Sequence, residues 1–326
     1  MKPAAFLAAL AVPAVVSLAA VAPPRPAAAA DDYPTRPITM VVPFAAGGTS
    51  DVIARVVSEQ MSQVLGQRVI NENVPGAGGS TALARVARAA PDGYMIAIGN
   101  VGTNAAAYTI YPEIKYTNDD FVPIGLAAKT VPVIAVRKDF PATDLAGFIA
   151  YARQNPGKVN LGHAGVGSSN YLICKTFTAA AKIDVTLVSY RGAAPALNDL
   201  MGGQVDGVCD AAASVTGPIQ NGLVRGLVVS AQTRMRTLPD VPTAAEAGLP
   251  EFQQQGWNAL FAPKGTPPTV IDKLNAALRK AVASDALQRR MDDLGSIPAT
   301  EQELDAAYVA RLVPNEIEKY RKVLAP

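Results

Sequence analysis

Four stretches of small residues hold the groups through which this chain could do chemistry: 44-FAAGGTSD-51, 75-PGAGGS-80, 165-GVGSSN-170 and 190-YRGAAPA-196. Each follows an apolar, strand-like run and precedes a helix-like run. In an α/β chain that order gathers several helix N-termini around one crevice. First-turn amides have no intrahelical acceptor and lie at the positive end of the helix dipole, so such a crevice suits an anion. Gly and Ala keep Cβ atoms out of a ligand's way. The expected chemistry is capture of a small carboxylate by backbone groups.

Catalytic readings find little support. The single histidine, His163, lies in 161-LGHAGVGSS-169, and no GxSxG surrounds Ser168 or Ser169, so a serine triad has no frame. One His without HExxH offers little toward a catalytic metal site. AAGGTSD lacks the Lys of a phosphate-binding loop, and PGAGGST has Thr81 where GxGxxG needs its last Gly. Asp51, Asp206 and Asp210 leave paired-carboxylate chemistry open; Asp51 reads better as a helix cap that orders its loop. No catalytic residue, metal ligand or cofactor is assigned. Arg191 either meets a second ligand carboxylate or forms a salt bridge with Asp206 or Asp210, the latter being favoured.

Positioning these groups requires an exported α/β chain of two domains. The 326 residues exceed one ordinary core, and nearly half are apolar. Residues 1–30, with Lys2, the apolar run 6–22 and the small-residue end 26-PAAAA-30, read as a secretory leader cleaved near Ala30. Losing Lys2 and Arg25 with it takes the formal charge from +2 to zero, which disfavours nucleic acid as a partner. Cys174 and Cys209 are read chiefly as buried small side chains, with a disulfide as the alternative in an oxidising compartment.

From Ile38 onward the pattern alternates: strand Ile38–Phe44, helix 52–66 with Gly66 as its stop, strand Arg68–Glu72, helix 80–90, strand 94–99. Strand and helix in alternation predict a parallel sheet. A strand at 131–139 leaves this unit. A second unit follows with helices 144–154, 171–182 and 195–203 and strands 158–162, 184–190, 204–210 and 224–231. Beyond 256-GWNALFAP-263, amphipathic helices at 268–284 and within 301–324 are expected to return to the first domain. The expected division is 31–130 plus 253–326 for domain 1 and 131–252 for domain 2. The lone Trp257 reads as hinge or core packing.

Five motifs in order, 43-PFAAGGTSD-51, 73-NVPGAGGS-80, 165-GVGSSNYL-172, 190-YRGAAPALNDLMGGQVDGVCD-210 and 239-PDVPTAAEAGLP-250, span the chain after residue 30. In this order they resemble the Bug family, the extracytoplasmic substrate-binding proteins of tripartite tricarboxylate transporters. The resemblance implies a type II periplasmic-binding-protein fold, two α/β domains around a central cleft that closes like a Venus flytrap. It implies a monomer in the periplasm that takes up a di-, tri- or aromatic carboxylate and delivers it to membrane permease subunits. Carried over by position, the first-domain ligand contacts are Phe44, Ala45, Gly47, Gly48, Ala77 and Gly78, joined by Asp51, Gly79, Asn100, Thr103 and Asn104. The second domain supplies Ser168, Ser169, Asn170 and Asp210. Asn104 and Tyr171 stand where many members carry His. A sensor partner of a receptor kinase and a secreted hydrolase are the alternative functions.

Overall fold

The computed structural model describes residues 32–324, so the expected leader and its cleavage site lie outside the described residues. The chain from Pro34 onward forms one compact unit. It contains two sheets. The first begins with β1 (Ile38–Val42), β2 (Val69–Asn73) and β3 (Met95–Asn100), parallel to one another with β1 in the middle. Helices α1 (Thr49–Leu65) and α2 (Ser80–Ala87) make the crossovers. Gly66 ends α1 in the left-handed region (φ 67°) and donates its N–H to Ser62 O at 3.1 Å, the stop its position predicts.

A π turn at Gly102–Ala106 runs into α3 (Ala107–Ile110) and leads to β4 (Phe121–Thr130). Val131 separates β4 from β5 (Pro132–Arg137), the first strand of the second sheet. That sheet adds α4 (Leu145–Gln154), β6 (Asn160–His163), α5 (Ser169–Ala181), β7 (Thr186–Ser189), α6 (Ala193–Met201), β8 (Gly207–Ala211), α7 (Ala212–Gln220) and β9 (Val224–Val229). The chain returns through β10 (Gly256–Pro263), followed by α8 (Pro268–Ala283), α9 (Asp285–Asp293), β11 (Ile297–Pro298) and α10 (Ala306–Val323).

The strand orders are β11-β4-β10-β3-β1-β2 and β7-β6-β8-β5-β9. Neither sheet is purely parallel, contrary to the expectation from alternation. β10 is antiparallel to both β3 and β4, and β5 is antiparallel to both β8 and β9. The returning segment 256-GWNALFAP-263, buried at every position, fills the centre of the first sheet as a strand. A fully buried strand shows no alternation, so period alone does not reveal it.

Around the second sheet, Phe148, Phe177 and Phe252 pack with Cys174 and Cys209 in one cluster, while Leu197, Leu200, Val215 and Val241 form another. Cys174 on α5 and Cys209 on β8 are joined in a disulfide with Cα atoms 5.3 Å apart, so the favoured reading as separate thiols is corrected. Both side chains are indeed buried, and that burial brings the sulfurs together across a helix–strand contact. The bond closes a loop between residues 35 apart, which by chain entropy stabilises the fold by about 4 kcal/mol. Reduction, or the paired change Cys174→Ala with Cys209→Ala, should lower the unfolding free energy by about that amount in denaturant titrations. Equal stability with and without reductant would contradict it.

Candidate functional site

All four glycine-rich stretches emerge from carboxyl ends of parallel strands, the edge at which open α/β sheets place ligands. Loops after β1 and β2 belong to the first sheet, and loops after β6 and β7 to the second. They meet. Ala45 N–H donates to Arg191 O at 3.3 Å, Tyr111 Oη–H to Val166 O at 2.5 Å, and Thr49 Oγ1–H to Asp210 Oδ1 at 3.3 Å. Phe44, Ala164 and Ala193 form a small apolar contact across the same seam. Between the loops lies a cleft of about 580 Å³, lined by Phe44, the 75–79 turn, Tyr111, residues 164–166 and residues 189–191.

Glycine is required where backbone faces backbone. A Cβ on Gly78 would sit 2.0 Å from Val166 O, one on Gly102 2.5 Å from Ser169 N, and one on Gly192 2.9 Å from Ala45 N. Each of these contacts joins a first-sheet loop to a second-sheet loop.

The loops differ in what their donors already hold. At the start of α1, Asp51 accepts from Gly47 N–H at 2.8 Å, Arg55 Nε at 2.8 Å and Asn73 Nδ2 at 2.9 Å. Burial works against ionising Asp51, and these hydrogen bonds outweigh it, holding the carboxyl below the usual carboxylate range. The protein's own carboxylate therefore occupies the first loop. Asp51 shapes residues 44–48 while its oxygens are engaged. Gly47 and Gly48 lie against Ala193 and Ala194 of the opposite half. At the start of α5, Ser168 is fully buried and its Oγ accepts from Tyr171 N–H at 3.1 Å. The start of α6 is covered by Ala45 and Gly48.

The turn before α2 is different. Ala77, Gly78 and Gly79 have φ of 44°, 61° and 96°, and Ser80 returns to −65°. Within the turn Gly79 N–H donates to Gly76 O at 2.8 Å and Ser80 N–H to Ala77 O, which leaves the Ala77 and Gly78 N–H groups as its remaining donors. Ala77 in the left-handed region is a backbone outlier whose strain of about 1–2 kcal/mol marks a site over-determined by its surroundings. Phe44, Ala77, Gly78 and Gly79 line the cleft directly.

The remaining expected contacts are not among the residues lining this cleft. Asn100 Oδ1 accepts from Gly102 N–H (2.9 Å) and Thr103 N–H (3.1 Å), and Thr103 Oγ1–H donates to Asn104 Oδ1 (2.7 Å). Ser50 Oγ receives Asn100 Nδ2 and Asn258 Nδ2, the latter a residue no motif identified. Ser169 Oγ lies 3.5 Å from Asn170 Oδ1. Asn170 Nδ2 donates to Asp210 Oδ1 at 2.7 Å and to Cys209 O at 3.0 Å. Apart from the Thr49–Asp210 hydrogen bond across the seam, these groups are bonded within their own halves and are not among the residues lining the cleft. Sequence reasoning missed Tyr111, which no motif covers, and the cleft roles of Gly165, Val166 and Tyr190, which the motifs quoted without selecting.

Arg191 makes no ion pair among the described residues, so the favoured salt bridge is corrected. Asp206 is instead held by Arg137 at 3.3 Å, and Asp210 by Asn170. His163 is buried, and its Nδ1 accepts from Gly165 N–H at 3.2 Å; desolvation pushes its pKa down to about 4, leaving a neutral ring that orders the 164–166 loop. Among the described residues no cluster of His, Cys, Asp and Glu is arranged for a metal, and no helix is long and apolar enough to cross a membrane. A larger cavity of about 990 Å³ lies by Trp257. Its cations Lys129, Arg234, Arg236 and Lys319 are each paired with an acid, so it presents no free charge.

Two mixed sheets whose glycine-walled loops enclose a cleft define a two-domain periplasmic solute-binding protein. Comparison with known proteins agrees with this class. The model of the tripartite tricarboxylate transporter family receptor (TctC) matches residues 53–325, and the chain belongs to that family. The resemblance carried by the five motifs is thus borne out. The chain is 38% identical over 311 residues to the UPF0065 protein in the TAR-I ttuE-ttuC' intergenic region of Agrobacterium vitis, covering 95% of this chain and 90% of that one. Protein BugT of Bordetella pertussis is 34% identical over 271 residues, with 82% and 83% covered. Among solved structures, MatC (Rpa3494) from Rhodopseudomonas palustris with bound malate has a TM-score of 0.86 at 40% identity, covering 89% of this chain and 99% of that one. R. palustris Rpa4515 with adipate has 0.85 at 33% identity, with 90% and 97% covered.

Asp210 yields a test of the seam. Its burial pushes the carboxyl above the usual range despite hydrogen bonds from Ser214, Ala211, Asn170 and Thr49. A raised folded pKa means a contribution complete below the unfolded value of about 3.9 and lost as pH rises through the folded value. His163, with its pKa lowered, acts oppositely, losing stability as pH falls from about 6.5. The difference between wild-type and Asp210→Asn melting curves isolates the carboxyl: the wild type should lose stability relative to the variant as pH rises from about 4. A difference independent of pH would contradict the assignment.

Proposed function

We propose that this chain is an exported, monomeric carrier that closes on a small organic carboxylate and delivers it to the permease subunits of a tripartite tricarboxylate-type transporter. The observation that carries the reading is the left-handed 77–79 turn before α2, which faces the cleft with backbone and no bulky side chain. Supporting it are the family and two relatives whose structures hold malate and adipate. Export with cleavage near Ala30 and a periplasmic location fit the family and the disulfide. The same reading divides the chain into 31–130 plus 253–326 and 131–252, in line with the two sheets, and gives it a binding rather than a catalytic role.

Burying a carboxylate costs several kcal/mol even after relaxation. One helix dipole returns about 0.3–1 kcal/mol, which does not suffice. Charge-assisted hydrogen bonds contribute about 1.5–3 kcal/mol each, so three or four donors are needed. The Ala77 and Gly78 N–H groups supply part, and bridging waters complete the shell at modest cost. Closure then excludes bulk solvent and strengthens every remaining electrostatic contact. Because the two halves meet only when closed, ligand binding and loop contact reinforce each other, and the closed face is what a permease distinguishes from the empty form.

Titration calorimetry against mono-, di-, tri- and aromatic carboxylates tests this. At least one should bind, and Gly78→Ala should weaken it about 100-fold, because the added Cβ meets Val166 O before the halves close. The variant should stay folded, since the obstruction lies in the opposite half and opening relieves it. A panel without a binder, or an unaffected Gly78→Ala, would contradict the proposal.

A further inference from the structure

Among the residues lining the cleft, Arg191 alone carries a formal charge. Its side chain is exposed and pairs with no acid among the described residues. The two tyrosine hydroxyls of the lining are engaged elsewhere: Tyr190 Oη–H donates to Asp199 at 2.7 Å and Tyr111 Oη–H to Val166 O at 2.5 Å. The two acids the sequence offered as partners are held elsewhere, Asp206 by Arg137 and Asp210 by Asn170. An unpaired guanidinium at a water-accessible cleft wall is a fork for a carboxylate, which it binds through two parallel hydrogen bonds.

Its placement is tied to closure. Arg191 O accepts the Ala45 N–H at 3.3 Å, and Gly192 allows that approach, so the residue is fixed at the seam when the two halves meet. Arg191 belongs to the second-sheet half, whereas the 77–79 turn belongs to the first, and both line the same cleft. A ligand seated on the turn by one carboxylate therefore has a cationic group on the facing wall. The chain as a whole carries a formal charge of only +2, so attraction of a second negative group falls to this local cation rather than to a long-range field.

We propose that Arg191 reads a second anionic group on the ligand, making it the residue that selects dicarboxylates over monocarboxylates. This rests on the carrier reading above and adds a role for one side chain. The test compares succinate and glutarate with butyrate and valerate by calorimetry, on wild type and on Arg191→Gln and Arg191→Lys. The wild type should favour the diacids by about tenfold or more, a ratio that Arg191→Gln reduces about tenfold and Arg191→Lys reduces less. Added salt should weaken diacid binding more in the wild type than in Arg191→Gln. Unchanged melting of the variants confirms that they fold, as an exposed, unpaired side chain allows. A diacid preference that survives Arg191→Gln, or its absence in the wild type, overturns this assignment while leaving the carrier reading intact. A wild type that binds none of the four acids, nor any of the wider panel, overturns both.

Discussion

The approach of backbone to backbone across the seam is the constraint on which the site depends. Gly78 against Val166, Gly102 against Ser169 and Gly192 against Ala45 leave no space for a Cβ. Side chains at these points would hold the halves apart, admit water and weaken every charge interaction inside. A ligand that adds hydrogen bonds to both walls shifts the balance, which is the thermodynamic requirement for a carrier that signals its load by shape.

Charge is distributed to the same end. Of the anion-suited loops, one is filled by Asp51, held ionised by Arg55, and one helix start is capped by Ser168. Asp210 lies under the seam, its carboxyl pushed up by burial and joined to Thr49 and Asn170. The protein thereby satisfies its own buried polar groups and leaves the 77–79 turn facing the cleft. Strain at Ala77 is tolerated there because flanking glycines and the α2 start fix the chain around it.

Much of this was legible in the residues, in some places for the wrong physical reason. Apart from α3, β4 and α7, the strands and helices through β9 follow from apolar runs, glycine stops and turn residues, and the glycine stretches do converge. Glycine at 78 and 192 was read as room for a ligand, and the structure shows it equally as room for the opposite backbone. The donors of Ala45 and Gly47 were expected to face cargo; they are held by Arg191 O and Asp51, because a carboxylate four residues on competes at short range. Asn100, Thr103 and Asn104 were expected at the cleft; their side chains are buried and bonded to one another, and Asn100 also to Ser50, a partner remote in the chain that Asn258 shares. β4, β10 and the mixed character of both sheets were illegible for the same reason: antiparallel pairing between residues seventy or more apart leaves no local period.

The most direct test of the central claim is a crystal structure of the chain with a bound carboxylate. The account predicts one carboxylate within hydrogen-bonding distance, about 3 Å, of the backbone N–H groups of Ala77 and Gly78, with the seam contacts closed around it. A ligand bound in the cavity beside Trp257, or held in the cleft by side chains with the 77–79 turn unused, would contradict it.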